Sequence, residues 1–345
     1  MPQYTTVLVG CGPRGAMHAT AVLANAEHFA LVAVCDLDTD RLMPFATRFG
    51  ITKTYTDVDT MLAAERPDVL CFATMPAIRL PLVELGVKHG VKAIAFEKPM
   101  ALSLAEARQI LNLCAAAGVK TIVCHQLKYG AHWQKAAEVV RSGALGTVHL
   151  IHATARPSML RVGTHLVDAM LWFNGGARGV WVMGQVHGKA AYQEDHPCPD
   201  HFMGVIEFAN GVRGLLECGS LAPHVMAEED FWLDGAVTVY GAHGYVRAGI
   251  GCGWQTVTTA AGGTLLSGPS DLTPQEPRWL QDLAAWLDNP QQEHPCNGEV
   301  SYHGFELLMG MALSSLERRQ VEVPITPVPA TPELAQLEQA LATTL

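Results

Sequence analysis

The sequence lacks paired cysteines, an excess of positive charge and any long apolar run, and each absence removes a class of protein. Its nine cysteines are scattered singletons with no CxxC pair. They read as reduced, buried thiols and predict a cytoplasmic setting rather than a disulfide framework. Lysine and arginine total 23 against 33 aspartates and glutamates, a formal charge of −10. That balance argues against nucleic acid or an anionic membrane as partner, although one arginine can still reverse the field inside a single pocket. No apolar run reaches the roughly 18 residues that a membrane helix needs. The start MPQYTTVLVG has no basic stretch and enters a strand at once, so no signal peptide is expected. Internal repeats and low-complexity tracts are also missing.

What is there is an ordered chain of 345 residues, 49% apolar and 16% charged, long enough for about two domains. The first third alternates short runs, TTVLVG, LVAVCD, VLCFAT, KAIAFE and KTIVCH, with helical segments. Each run is apolar on both faces, which predicts a parallel, doubly wound sheet covered by helices. Ser103 and Glu106 form a capping box at the start of one helix and Gly118 is its stop. Pro44 interrupts an otherwise helical segment. After about residue 125 the pattern changes. VHLIHAT reads as a strand and residues 161–173 as a helix. HFMGVIEFANGVRGLLECGS reads as a hairpin with an Asn-Gly turn. Further β-runs continue a meander, and EPRWLQDLAAWLDN is an amphipathic helix. The expectation is therefore an α/β chain: an N-terminal doubly wound parallel sheet over 1–125, then an α+β domain with a large, mainly antiparallel open sheet over 126–325. A Pro-rich linker and short helix follow over 326–345, able to pack back or to meet a partner subunit.

The chemistry begins at VLVGCGPRGAMHAT. Gly10, Gly12 and Gly15 stand in GxGxxG register directly after a strand and open a helix. Gly10 permits a tight turn, Gly12 lets the main chain approach a pyrophosphate, and Gly15 lets helix and strand pack closely. Cys11, Pro13 and Arg14 share this loop and are counted with the cofactor-binding residues. Asp36 ends the second strand about 20 residues further on, where an acid accepts the ribose hydroxyls and repels a 2′-phosphate. NAD is thus favoured over NADP, with Arg41 as the residue that weakens the preference. Lys98, in KAIAFEKPM, follows the fifth strand, at the carboxyl end where open α/β sheets place ligands. Pro99 fixes the backbone after it.

In this order, GxGxxG, Asp36, ATMP, EKPMALSLAEA and GTHLVDAMLW resemble the glucose–fructose oxidoreductase/inositol dehydrogenase/MocA (Gfo/Idh/MocA) family, with likeness running to about RRQVEVPI. The resemblance implies a Rossmann domain, a second α/β domain whose open sheet commonly makes oligomers (a homodimer or homotetramer here), bound NAD(H) or NADP(H), and hydride exchange with a carbinol carbon of a small carbohydrate-like substrate. It puts Lys98 on the family's EKP lysine and His165 on its catalytic histidine, with Thr74 and Pro76 along the cofactor and Glu97 nearby. In that chemistry His165 serves as acid/base and Lys98 as the polarising or relaying cation. Asp168, one turn on, either orients His165 or caps local backbone.

The sequence departs from the family's D-x-x-x-H pattern, because Arg161 stands where the aspartate is usual. An arginine cannot accept a proton. It either binds an anionic substrate group, with Arg156 as a possible second cation, or reaches to solvent, or marks altered chemistry. Arg79 stands where many relatives have a histidine. His196, Cys198 and His201 have spacing that touches on a metal site but lack a fourth ligand, and no metal is expected. Tyr240, His243 and Trp232 are candidate pocket residues. The leading expectation is an NAD-dependent oxidoreductase of a sugar, sugar acid or cyclitol. The alternatives are NAD-dependent glycoside cleavage by transient oxidation and elimination, and a non-catalytic dinucleotide-binding regulator.

Overall fold

The β-rich runs of the first third pair as their apolar faces require. In a computed structural model, which describes residues 3–342, strands β1 (Tyr4–Val9), β2 (Phe29–Cys35), β3 (Thr54–Tyr55), β4 (Val69–Phe72), β5 (Ala93–Phe96) and β6 (Lys120–Val123) form one sheet. Its order is β3-β2-β1-β4-β5-β6, and every pairing is parallel. Strand order reverses between β1 and β4, which is the crevice where open α/β sheets take ligands. The connecting helices are α1 (Pro13–Ala24), α2 (Thr39–Phe49), α3 (Val58–Glu65), α4 (Arg79–Lys88) and α5 (Leu104–Ala117). Pro44 is accommodated inside α2. At the start of α5 the Glu106 carboxylate accepts from the Leu102 N–H at 3.0 Å. Gly118 does end α5, at φ +68°.

The second sheet has nine strands in the order β14-β13-β12-β11-β7-β10-β9-β8-β15. They are β7 (Val148–Ala155), β8 (Gly179–His187), β9 (His201–Phe208), β10 (Arg213–Gly219), β11 (Gly235–Gly241), β12 (Gly244–Gly249), β13 (Gly253–Thr258), β14 (Leu265–Gly268) and β15 (Val321–Glu322). Only β7 with β10 is parallel. The Asn210-Gly211 turn joins β9 to β10, as its sequence signals, with Gly211 at φ +80°. Helix α6 (Ala131–Arg141) packs on β12 and β13, and α7 (Thr164–Phe173) packs on β7, β10 and β11. On β8 and β9 side chains alternate, leaving Met183 and Met203 exposed on the uncovered face.

Three helices complete the chain: α8 (Glu276–Asp288), α9 (Gly298–Glu317) and α10 (Glu333–Ala342). The chain divides into two compact units, but not at one point in sequence. The first takes in Met1–Leu102, Glu106–Cys124 and Pro274–Tyr302; the second takes in Ser103–Ala105, His125–Thr273 and His303–Leu345. The segment bearing α8, read in chain order as part of 126–325, therefore belongs with the parallel sheet. Its physical cause is a set of anchors. The Asn25 side chain donates to the Pro277 carbonyl at 2.9 Å, Tyr4 Oη donates to Asp288 at 2.7 Å, and His18 meets Trp279 edge-on at 5.7 Å. The tail packs back within the second unit: Leu334 and Leu337 are buried, and the Glu333 carboxylate accepts from the Leu104 N–H at 3.3 Å. Among the described residues no helix is long and apolar enough to cross a membrane.

Candidate active site

The glycine loop is set by backbone sterics. Gly10 sits at φ +94°, and a Cβ there would lie 2.6 Å from the Ala73 carbonyl oxygen; only glycine fits a left-handed turn pressed against β4. At Gly15 a Cβ would overlap the Gly10 carbonyl oxygen, whereas at Gly12 it would meet nothing within 4 Å. The loop is thus closed where strand and helix pack and open on the side of Gly12. Helix α1 starts from an extended Gly12 with Pro13 in its first turn, no side-chain cap and no acidic residue in that turn. Its first N–H groups and its dipole are left for an anion. Beside the Gly10 turn, Thr74 Oγ1 is buried without a hydrogen-bond partner among the described residues. Open space at Gly12, an uncapped helix start and an orphaned hydroxyl are what a dinucleotide needs, and the residues fit that group.

Asp36 is placed at the end of β2 and already bonded on both oxygens. It accepts from the Cys11 N–H at 2.7 Å and the Asp38 N–H at 2.9 Å. Arg41 Nη1 lies 3.8 Å from the same carboxylate. Cys11 contributes its backbone, since its thiol is buried and raised to about 12 by that burial and by Asp36. The Arg14 side chain is held by ion pairs within the protein. It turns to acids, with Nε donating to Glu97 at 2.8 Å and Nη2 to Glu276 at 3.0 Å.

Glu97 is the centre of this network. His18 Nε2 lies 3.0 Å from the same Glu97 oxygen, and His18 Nδ1 lies 3.6 Å from Cys71 Sγ. Burial alone raises a carboxyl pKa, but Arg14 and His18 outweigh it and hold Glu97 well below the usual carboxylate range. His18, penalised by burial, is nonetheless raised to about 10 by Cys71 and Glu97. His18, Glu97 and Cys124 bring ligand-type atoms within 4.8 Å of one another. With the Arg14 guanidinium on the same carboxylate, the cluster reads as an ion-pair network rather than a cation site.

Lys98 follows β5, one strand from the β1/β4 crevice, and its bond to Pro99 is cis. Burial lowers its amine pKa, opposed by Glu97 and assisted by Arg14 and Arg79. Pro76 is buried at the end of the loop after β4. Arg79, for which no role is expected from its place in the chain, lies in the same region. It is 1% exposed, and Nη2 donates to the Thr74 carbonyl at 3.2 Å and to the Lys98 carbonyl at 3.0 Å.

In the second unit the stripe Arg161, His165, Asp168 does not share one face. A π-helical turn over Met159–Gly163 precedes α7, so the expected helix of 161–173 changes pitch between Arg161 and His165. His165 and Asp168 point into the protein while Arg161 is partly exposed. The His165 ring meets His125 edge-on at 5.3 Å and 89°. Asp168, expected to orient His165 or cap backbone, accepts from Lys128 Nζ at 3.0 Å, with both side chains only 4% exposed. Lys128 was missed in the sequence; its one signal was a lysine inside the apolar turn after β6. Arg161 pairs with Glu194 at 3.0 Å and Arg156 with Glu228 at 3.2 Å, both acids being exposed. His201 lies 3.6 Å from Glu217, while Cys198 is fully buried. Tyr240 rests on Tyr245, His243 packs on Gly146, and Trp232 is exposed.

Known proteins place this geometry. A sequence model described as "Oxidoreductase family, NAD-binding Rossmann fold" (GFO_IDH_MocA) matches residues 4–125, and one for the GFO/IDH/MocA C-terminal domain matches 157–247. D-apiose dehydrogenase of Paraburkholderia graminis is 37% identical over 147 residues, 42% of this chain and 38% of that protein. Inositol 2-dehydrogenase of Rubrobacter xylanophilus is 29% identical over 178 residues, 48% of this chain and 51% of that protein. The matched stretches thus span about half or less of these relatives. An Agrobacterium radiobacter oxidoreductase, solved with NAD+, L-tartaric acid and magnesium, superposes with a TM-score of 0.80 at 18% identity, covering 93% of this chain and 98% of that one. With a Rossmann unit, an open nine-stranded sheet and two matching family models, the chain belongs to the Gfo/Idh/MocA oxidoreductase family.

Proposed function

We propose that this protein is an NAD-dependent oxidoreductase acting on a carbinol carbon of a sugar, sugar acid or cyclitol. The observation that carries the reading is Lys98 at the carboxyl end of β5, next to the β4 loop that walls the open Gly10–Gly15 turn. The backbone of Gly10–Gly15, the α1 N-terminus, Thr74 and Pro76 would hold the dinucleotide, and Asp36 supports NAD over NADP. When bound, the nicotinamide supplies the hydride acceptor. His165 takes the proton from the substrate hydroxyl, as an imidazole can near neutral pH. Lys98 steadies the negative charge that develops on that oxygen, and its lowered pKa also lets it relay the proton. Apiose and inositol as the substrates in relatives' names support a polyol. Tartaric acid in the same complex as NAD+ in the Agrobacterium radiobacter structure, together with Arg161 and Arg156 here, supports an acidic member of that class.

The test is a panel of aldoses, sugar acids, cyclitols and aryl glycosides with NAD+, followed by nicotinamide absorbance and by aglycone release. NADH formation with one class is the expected result. Aglycone release without net NADH would replace the dehydrogenase reading by redox-assisted hydrolysis, and cofactor binding without any turnover would make the chain a regulator. Lys98→Ala and His165→Ala should each lower kcat by about 10²–10⁴ while NADH still binds; near-normal rates would refute the residue assignment.

A further inference from the structure

Arg79 is expensive where it stands. Its guanidinium is almost sealed from water, and no carboxylate is hydrogen-bonded to it. Glu97 and Glu106 act on it only through space, and burial pulls its pKa down to about 9. Among the described residues its Nε and Nη1 find no hydrogen-bond partner. A buried cation with idle donors is a poor stabiliser, so the two bonds it does make require a different explanation.

Both bonds go to main-chain carbonyls at the ends of neighbouring strands. Phe72 of β4 pairs in register with Phe96 of β5, and their rings stack at 4.9 Å. Thr74 lies two residues beyond the first and Lys98 two residues beyond the second. The Arg79 guanidinium carbon lies 6.0 Å from the centre of the Phe96 ring, and Nη2 reaches both carbonyls. The Thr74 loop is itself the wall against which Gly10 turns. One terminal nitrogen, Nη2, therefore ties the cofactor-side loop to the backbone of the residue with the reactive amine, at a reach that a lysine side chain falls one bond short of.

We propose that Arg79 is a positioning residue that clamps the Thr74 loop and Lys98 into one unit, so that cofactor wall and reactive amine are held in register. The inference rests on the oxidoreductase reading of the glycine loop and Lys98. The clamp also sets the charge around Lys98, which is faced by Glu97 beside it, Arg14 from α1, Arg79 from α4 and Cys124 after β6. Of these, Arg14 and Arg79 favour the neutral amine, while Glu97 and Cys124 favour the charged one.

The test needs no substrate. NADH affinity is measured by fluorescence titration of wild type, Arg79→Lys and Arg79→Gln. The pH dependence of Lys98 labelling by trinitrobenzenesulfonate is followed by mass spectrometry of the peptide. Arg79→Lys keeps the charge but falls one bond short of the two carbonyls, so NADH affinity should fall about five-fold or more with the Lys98 titration in place. Arg79→Gln loses both, so affinity should fall similarly and the Lys98 titration should move up by about half a unit or more. Unchanged NADH affinity in Arg79→Lys overturns the clamp, as does an unmoved Lys98 titration in Arg79→Gln. If Arg79→Gln does not fold, Arg79→Lys alone decides. A wild type that binds no NADH overturns the oxidoreductase reading itself, and the clamp with it. A wild type that binds NADH beside variants that bind it equally overturns only the clamp.

Discussion

The glycine-loop region and the α7 region handle charge in opposite ways. Around Glu97, two side chains of α1, Arg14 and His18, converge on one sealed carboxylate at the end of β5, and Arg14 also binds Glu276 of α8. Along α7 the charges are sorted by depth: Lys128–Asp168 is sealed, while Arg161–Glu194 and Arg156–Glu228 sit at the surface. Sealed pairs fix geometry because neither partner can leave without stranding the other in low dielectric. Surface pairs exchange partners freely and contribute little to stability. The first region is accordingly built to hold one arrangement. The second combines a sealed pair that fixes α7 with arginines whose acid partners are exposed to water.

Breaking the sealed pair of α7 should have the largest effect. Lys128→Met or Asp168→Leu alone should cost about 3–5 kcal/mol, read as a loss of urea midpoint, and the double variant should regain most of it. Losses that merely add would show that the two residues do not act as a pair. Glu97→Gln should cost less, about 2–3 kcal/mol at neutral pH, because Arg14 keeps Glu276 and is partly exposed. Since Glu97 titrates lower in the folded than in the unfolded protein, its stabilisation is present above the unfolded carboxyl pKa of about 4.3. It is lost as pH falls through the folded value. The gap between wild type and variant should therefore narrow below about pH 4; a gap constant with pH would contradict the assignment. The smallest effect on stability, under about 1 kcal/mol, is expected for Arg161→Leu and Glu194→Gln. There the contrast should show in selectivity: Arg161→Leu lowers kcat/KM for sugar acids relative to neutral sugars, and Glu194→Gln raises it. Equal ratios in all three proteins would remove Arg161 from substrate recognition.

The difference between the regions also explains what could be read from the chain. Gly10, Gly15 and Asp36 were legible because backbone sterics and strand ends depend on local spacing, and the parallel, doubly wound sheet followed from strands apolar on both faces. Side-chain partners were not legible. The place of Arg14 in the glycine loop gives no sign of Glu276, more than 250 positions away, which holds its side chain. Asp168 reads beside His165 because both lie on one helix, but its ion pair with a buried lysine from another segment has no such signal. The split of Arg161 from His165 rests on a π-helical turn, which has no local sequence signature in a run of apolar residues.

The return of α8 to the parallel sheet has a consequence for synthesis. When Cys124 leaves the ribosome, every strand of that sheet exists, yet Arg14, His18, Asn25 and Tyr4 still lack Glu276, Trp279, Pro277 and Asp288. At about 5–20 residues per second the wait for residue 302 is on the order of ten to thirty seconds. Through that interval the sheet must persist half-finished while the second unit is being made. The N-terminal part of the chain is thus the first region to be started and one of the last to be closed.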